Sequence, residues 1–251
     1  MKVLITGASS GIGRDLARVL INKSTEMVLV ARDLDKLNNL KQELNKESDI
    51  EIKTISLDLS IPENCVKLYE ENKDIDLMIN NAGFGDCGFF TKTNLEKELK
   101  MINTNVTAYH ILTKLYLTNM KENNKGHILN VASIAGFMPG PLMATYYATK
   151  GYVVRLSEGI REELKKEKSN VKISVLCPGP VDTNFDKVAN VKFSLKSLSS
   201  YEVAEYTIKH LDRFYIIPGT GTKFAKFFSH VLPSSLMSKF IYRIQRRKVE
   251  R

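Results

Sequence analysis

"KVLITGASSGIGR", residues 2–14, joins an apolar run to a glycine-rich turn and then to the start of a helical pattern. The apolar, β-branched run KVLIT suits a buried strand. Gly7 permits a tight turn, Gly11 lets a phosphate approach the backbone, and Gly13 lets a helix pack closely on the sheet. The helix that opens here offers unpaired N–H groups and the positive end of its dipole to an anion. Ser9 and Ser10 are further donors to phosphate or ribose, with ordinary loop chemistry as the alternative, and Ile12 sits between the last two glycines. A glycine triplet is a weak signal alone. A strand before it and a helix after it, in a unit of about 30 residues, make it a dinucleotide-binding turn.

The same alternation continues along the chain. Residues 2–6, 27–31, 50–57, 75–80, 126–133, 171–177 and 213–219 read as strands, several of them nearly continuous in apolar residues. Such runs fit a parallel sheet covered on both faces. Helical patterns lie between them at 11–22, 33–47, 61–72, 94–122, 144–168 and 200–211. Strand and helix alternating in this way predict an α/β fold: a doubly wound, Rossmann-like parallel sheet of about seven strands. The 251 residues read as one domain, 1–251, with a C-terminal helical extension. Residues 184–200 are polar and irregular, and read either as a substrate lid or as a loop.

The bulk numbers narrow the function classes. With 43% hydrophobic and 26% charged residues the composition is that of a globular protein. No apolar stretch is long enough to span a bilayer, and the N-terminus does not resemble a secretory signal. Cys65, Cys87 and Cys177 are too scattered for a zinc site or a disulfide framework, so reduced thiols in a cytoplasmic protein, without a metal, are expected. The formal charge of +9 is local. Residues 223–251 carry eight Lys/Arg against the single acid Glu250, a net +7, which leaves only +2 on the other 222 residues.

The second strand ends at Ala31-Arg32, where dinucleotide folds usually place an acid for the ribose 2′-hydroxyl. A guanidinium cannot accept that hydrogen bond but can pair with a 2′-phosphate, so Arg32 favours NADP(H) over NAD(H). The alternative is a solvated Arg32 with Asp33 facing the ribose. Asp58 either accepts from the adenine amino group or caps the helix beginning near Ile61. NNAG (80–83) ends the fourth strand, and the small residues after Asn81, Ala82 and Gly83, let a flat ring approach.

Six pieces in order resemble the short-chain dehydrogenases/reductases over nearly the whole chain: TGASSGIG (6–13), NNAG (80–83), Asn105 in NTNVTAYH, Ser133 in NVASIAG, YYATK (146–150) and PGPVDT (178–183). The resemblance implies a catalytic tetrad of Asn105, Ser133, Tyr146 and Lys150. It also implies that Pro178, Gly179, Val181 and Thr183 cover the nicotinamide carboxamide. Helical geometry does not choose between the adjacent tyrosines. At about 100° per residue, Tyr146 and Tyr147 lie about 40° and about 60° from Lys150 around the helix. The family pattern Tyr-x-x-x-Lys and the step of 13 residues from Ser133 select Tyr146, leaving Tyr147 to pack or to line the pocket. A free phenol titrates near 10, and an adjacent ammonium lowers that value. Tyr146 would then be general acid in carbonyl reduction and base in the reverse, with Lys150 also binding the nicotinamide ribose. Ser133 would polarise the substrate oxygen. Asn105 would anchor a relay water, or else be a helix asparagine bonded to its own backbone.

The resemblance thus implies an NADP(H)-dependent oxidoreductase acting on a carbonyl or alcohol substrate. Two alternatives are a non-catalytic dinucleotide-binding sensor or scaffold and a membrane-associated lipid or 3-oxoacyl ketoreductase. The substrate pocket is expected from residues 84–93, 134–143 and 184–200, with GFMPGPLM (136–143) as an apolar wall. Residues 222–232 and 236–248, broken by Pro233, read as two basic amphipathic helices. They pack on the body or a sister subunit, or attach to an anionic membrane surface. No recognition fold for nucleic acid accompanies them. The helices at 94–122 and 144–168 resemble those of the family's four-helix dimer contact, implying a homodimer or homotetramer.

Overall fold

Seven parallel strands form the central sheet of this computed structural model, which describes residues 1–183 and 197–249. In chain order the elements around the first crossover are β1 (Lys2–Thr6), α1 (Gly11–Leu20), β2 (Glu26–Ala31), α2 (Leu34–Leu44), β3 (Glu51–Ser56), α3 (Pro62–Glu71) and β4 (Leu77–Asn80). They are followed by α4 (Leu95–Ile102), α5 (Ala108–Glu122), β5 (His127–Val131), α6 (Ala144–Lys166) and β6 (Lys172–Leu176). Last come β7 (Val181–Asp182), β8 (Leu198–Ser199), α7 (Ser200–Lys209), β9 (Tyr215–Ile216), α8 (Thr220–Val231) and α9 (Ser234–Val249).

The sheet order is β3-β2-β1-β4-β5-β6-β9, and β7 pairs separately with β8. The chain runs outward one way from β1 to β3, then returns to β4 on the other side of β1. That reversal makes a crevice at the carboxyl ends of β1 and β4, the usual place for a ligand in an open α/β sheet.

Alternation along each strand divides the core into two layers. Val3 and Ile5 of β1 and Leu29 of β2 face one way, against Leu16 and Leu20 of α1, Leu37 of α2 and Val203 of α7. Leu4, Val28 and Met78 face the other way, against Leu68 of α3, Tyr109 and Leu112 of α5 and Val153 of α6. Both faces are buried, which is why the strand sequences are nearly continuous in apolar residues.

The expected helix over 94–122 is interrupted. Asn94 caps α4 by accepting from the Lys97 N–H at 2.9 Å, but residues Asn103–Thr107 form a wide π turn before α5 begins. Such turns inside a helix recur at functional sites. The tail forms two helices, Thr220–Val231 and Ser234–Val249. Pro233, which cannot continue a helix, sits at the break between them.

Candidate active site

The glycine turn places the N-terminus of α1 at the crevice. Gly7 and Gly11 adopt φ of +67° and +54°, the left-handed region that side chains disfavour. A Cβ on Gly13 would lie 2.4 Å from the Gly7 carbonyl oxygen and 2.4 Å from Asn81 Nδ2. Gly13 is therefore the packing residue, and the cleft wall is formed by Gly7, Ser9, Ser10, Gly11 and Ile12. Ser10 precedes α1 without capping it through its side chain, so its hydroxyl does not compete for the N–H groups there.

Asn81 is a clasp. Its Nδ2 donates to the Thr6 and Gly7 carbonyls at 2.9 and 3.2 Å, while Thr6 Oγ1 accepts from the Asn81 and Ala82 N–H groups. These bonds hold the end of β4 to the glycine turn. Ala82 and Gly83 continue the wall.

At the far end, Arg32, Asp33, Lys36 and Asp58 line the cleft. Asp33 caps α2, accepting from the Lys36 N–H at 3.0 Å and pairing with Lys36 Nζ at 2.6 Å. Arg32 is exposed and makes no ion pair among the described residues. Asp58 does not cap α3 through its side chain; Ile61 occupies that place. Asp58 Oδ1 instead accepts from the backbone and hydroxyl of Ser60, and Oδ2 pairs with Lys100 at 3.0 Å. Those partners hold its carboxyl below the usual range against the opposing effect of burial.

The remaining groups converge from β5, α5 and α6. Tyr146 and Lys150 sit one turn apart on the inward face of α6. Ser133 follows β5, opens the short 3₁₀ turn Ile134–Phe137 by accepting from the Ala135 N–H, donates to the Pro178 carbonyl at 3.5 Å, and lines the same cleft as Tyr146. Lys150 is only 4% exposed, yet its charge has partners. Its Nζ donates to the Val131 carbonyl at 2.9 Å and lies 5.3 Å from the Tyr109 ring centroid. Burial lowers the Lys150 pKa from 10.5 to about 8. The same burial raises Tyr146 above its ordinary value, opposed by the neighbouring Ser133 hydroxyl.

Asn105 stands behind this group in the π turn and is fully buried. Its Oδ1 accepts from the Phe84 N–H at 3.1 Å, and its Nδ2 donates to the Phe84 carbonyl at 2.8 Å and to Thr149 Oγ1 at 3.1 Å. Its amide is therefore bonded neither to its own backbone nor to Lys150. It fixes the loop after β4 beside Lys150. A Cβ on Gly83 would lie 2.9 Å from Asn105 Oδ1 and 3.5 Å from Lys150 Nζ.

Pro178, Gly179, Val181 and Thr183 close the other side of a cleft of about 1130 Å³. Phe84, Ile134, Ala135, Met138 and Met143 come from the loops expected to build the pocket. Of the segment 184–200, residues 184–196, and with them the lid reading, lie outside the described residues. Leu198–Ser199 form β8, and Ser199 caps α7. Sequence reasoning missed one wall. Ala225 of α8 and Phe240, Ile241, Ile244 and Gln245 of α9 also line the cleft. The signal was present in the spacing of Met237, Ile241 and Gln245, four residues apart, which are the buried positions among the described residues of α9.

The arrangement can hold a nicotinamide dinucleotide along the carboxyl ends of the strands, in the cleft that the Tyr146 phenol lines. Comparison with known proteins agrees. The family model for short chain dehydrogenases matches residues 1–192. An oxidoreductase of Staphylococcus saprophyticus is 35% identical over 185 residues, covering 72% of this chain and 74% of the relative. A solved short-chain dehydrogenase from Sphingobium yanoikuyae in complex with NADPH superposes with a TM-score of 0.83 at 28% identity, covering 94% of each chain. A short-chain dehydrogenase/reductase from Burkholderia phymatum in complex with NAD gives 0.82 at 25% identity over 92% of each chain. Sequence match, fold and cleft agree, and the chain belongs to the short-chain dehydrogenase/reductase family of nicotinamide-dependent oxidoreductases.

Proposed function

We propose that the protein is an NADP(H)-dependent reductase of apolar carbonyl compounds, working in reverse as an alcohol dehydrogenase. The observation that carries this reading is that Ser133, Tyr146 and Lys150 line one cleft together, with Tyr146 and Lys150 one helical turn apart on α6.

When bound, the dinucleotide supplies or takes up a hydride. Ser133 orients and polarises the substrate oxygen, and Tyr146 delivers the proton to it. Burial favours the protonated phenol, which suits reduction, whereas the buried charge of Lys150 favours the phenolate that oxidation requires. Lys150 also holds the nicotinamide ribose. Asn105 is a positioning residue, and any relay role falls to its backbone because its side-chain amide is committed to Phe84 and Thr149. Arg32 and Lys36 receive the adenosine 2′-phosphate. Two features support NADP(H) over NAD(H): Arg32 has no ion pair among the described residues, and Asp33 is engaged as a helix cap. The Sphingobium relative binds NADPH and the Burkholderia relative NAD, so the choice rests on these residues.

The apolar wall of Met138, Met143, Ile241 and Ile244 favours a hydrophobic substrate. A panel of ketones and 3-oxoacyl esters, followed by NADPH absorbance, tests the reading. Turnover of an apolar ketone is expected. Tight NADPH binding with no turnover of any member would favour the dinucleotide-sensing scaffold instead.

A second reading, as a reductase working at a membrane surface, is favoured by one observation. Phe224, Phe227 and Phe240 are 64%, 62% and 61% exposed on the tail helices, within a segment of net charge +7. Apolar and basic groups together suit an anionic lipid surface. Salt-sensitive sedimentation with anionic vesicles would support this, and none at low ionic strength would end it. Among the described residues no helix is long and apolar enough to cross a membrane.

A further inference from the structure

The inward stripe of α9 ends on a polar residue. Met237 and Ile241 are buried, and one step further along the same face Gln245 is 3% exposed. Gln245 Nε2 donates to the Tyr147 hydroxyl at 2.7 Å. Gln245 Oε1 is buried and has no hydrogen-bond partner among the described residues. The other buried oxygen without a partner, Asn80 Oδ1, belongs to a core asparagine bonded to Asn130 and Thr113 and does not line the cleft. Gln245 and Tyr147 both line it.

A buried carbonyl oxygen without a donor is costly to leave in that state, and the neighbouring positions on this face are apolar. The carboxamide therefore has a use that a methionine there would not serve. Tyr147 is held in place: a Cβ on Gly140 would fall 2.0 Å from its ring. Its ring centroid is 6.1 Å from that of Tyr146, so Tyr147 stands next to the residue read above as the proton donor. The Tyr147 oxygen accepts from Gln245 and keeps its own proton to donate. The pair thus offers an acceptor, Gln245 Oε1, next to a donor, the Tyr147 hydroxyl. One group that complements both is an alcohol.

We propose that Gln245 and Tyr147 form a hydroxyl-recognition site, and that the substrates are carbonyl compounds bearing a second, remote hydroxyl on an apolar frame. This rests on the carbonyl-reductase reading above. An apolar ligand lacking the hydroxyl would fill the same space and leave Oε1 unpaired, and sites of this type reject such analogues.

The test uses the full chain with NADPH and a series of ω-hydroxy methyl ketones of increasing length, each beside its O-methyl ether. At the length that reaches the pair, kcat/KM for the hydroxy ketone should exceed that of the ether by about tenfold or more. Gln245→Met should bring the two within about twofold of each other, and Tyr147→Phe should narrow the gap as an independent check. Equal rates at every length in the wild type, or a preference that survives Gln245→Met, would overturn the inference while leaving ketone reduction intact. Should no ketone be reduced, the carbonyl-reductase reading fails, and thermal shift of the NADP⁺-saturated protein then decides this one. A shift by the hydroxy ketone, absent with the ether and lost in Gln245→Met, upholds the site; equal shifts reject it.

Discussion

Lys150 Nζ donates to the Val131 carbonyl at 2.9 Å and lies 6.0 Å from the Tyr146 ring centroid. The lysine is tethered to the end of β5, and its charge acts on the phenol across a short gap in a buried setting. Tyr109 donates to the same carbonyl at 3.0 Å, which fixes that anchor from α5.

The pH dependence of reduction follows from this tether. Burial sets Lys150 at about 8, so its charge is present below that pH and lost above it. Reduction, measured as kcat/KM, should decline as pH rises through about 8, because the cation that holds the nicotinamide ribose is neutralised. Lys150→Arg, charged at every working pH, should lose that limb. An unchanged limb in the variant would assign the titration to another group.

Arg32 is expected to set the cofactor preference. Arg32→Asp should raise KM for NADPH by about tenfold or more, since a charge-assisted bond to the 2′-phosphate is replaced by repulsion. KM for NADH should change far less. Equal KM values for NADPH in the variant and wild type would remove Arg32 from the site.

Asn105→Ala leaves the Phe84 N–H and carbonyl without their partners. A half-buried donor and acceptor left unpaired in this way cost up to roughly 1–3 kcal/mol. The variant should melt at a lower temperature and lose kcat, because Gly83 and Lys150 are no longer braced. A melting temperature equal to wild type would contradict the positioning role.

Leu95, Leu99 and Ile102 form an outward row on α4, 67%, 50% and 36% exposed. This apolar row supports the homo-oligomer that the resemblance implies. Leu99→Lys should shift the mass measured by light scattering to that of a monomer. A wild-type protein that is already monomeric would end this expectation.

Much of this was legible before any coordinates. Strands buried on both faces show themselves as unbroken apolar runs, and the glycine turn, Arg32, Ser133, Tyr146 and Lys150 line one cleft. The π turn at Asn103–Thr107 was not legible, since the helical pattern runs on through it. Asp58 was ambiguous because an aspartate before a helix can cap it or close a local turn, and here Ser60 takes its oxygen. The tail helices were visible as amphipathic, but periodicity gives a helix its apolar face without saying what that face covers. Their service as a cleft wall, with Gln245 bonded to Tyr147 from 98 positions away in the chain, is set by tertiary packing alone.

The central claim is that the Tyr146 hydroxyl, and not that of Tyr147, transfers the proton. It is tested most directly by measuring ketone-dependent NADPH oxidation and NADPH binding on the same preparations of wild type and Tyr146→Phe. Turnover in Tyr146→Phe should fall by about 10²–10⁴-fold with the NADPH dissociation constant nearly unchanged. Turnover close to wild type in Tyr146→Phe would contradict the account.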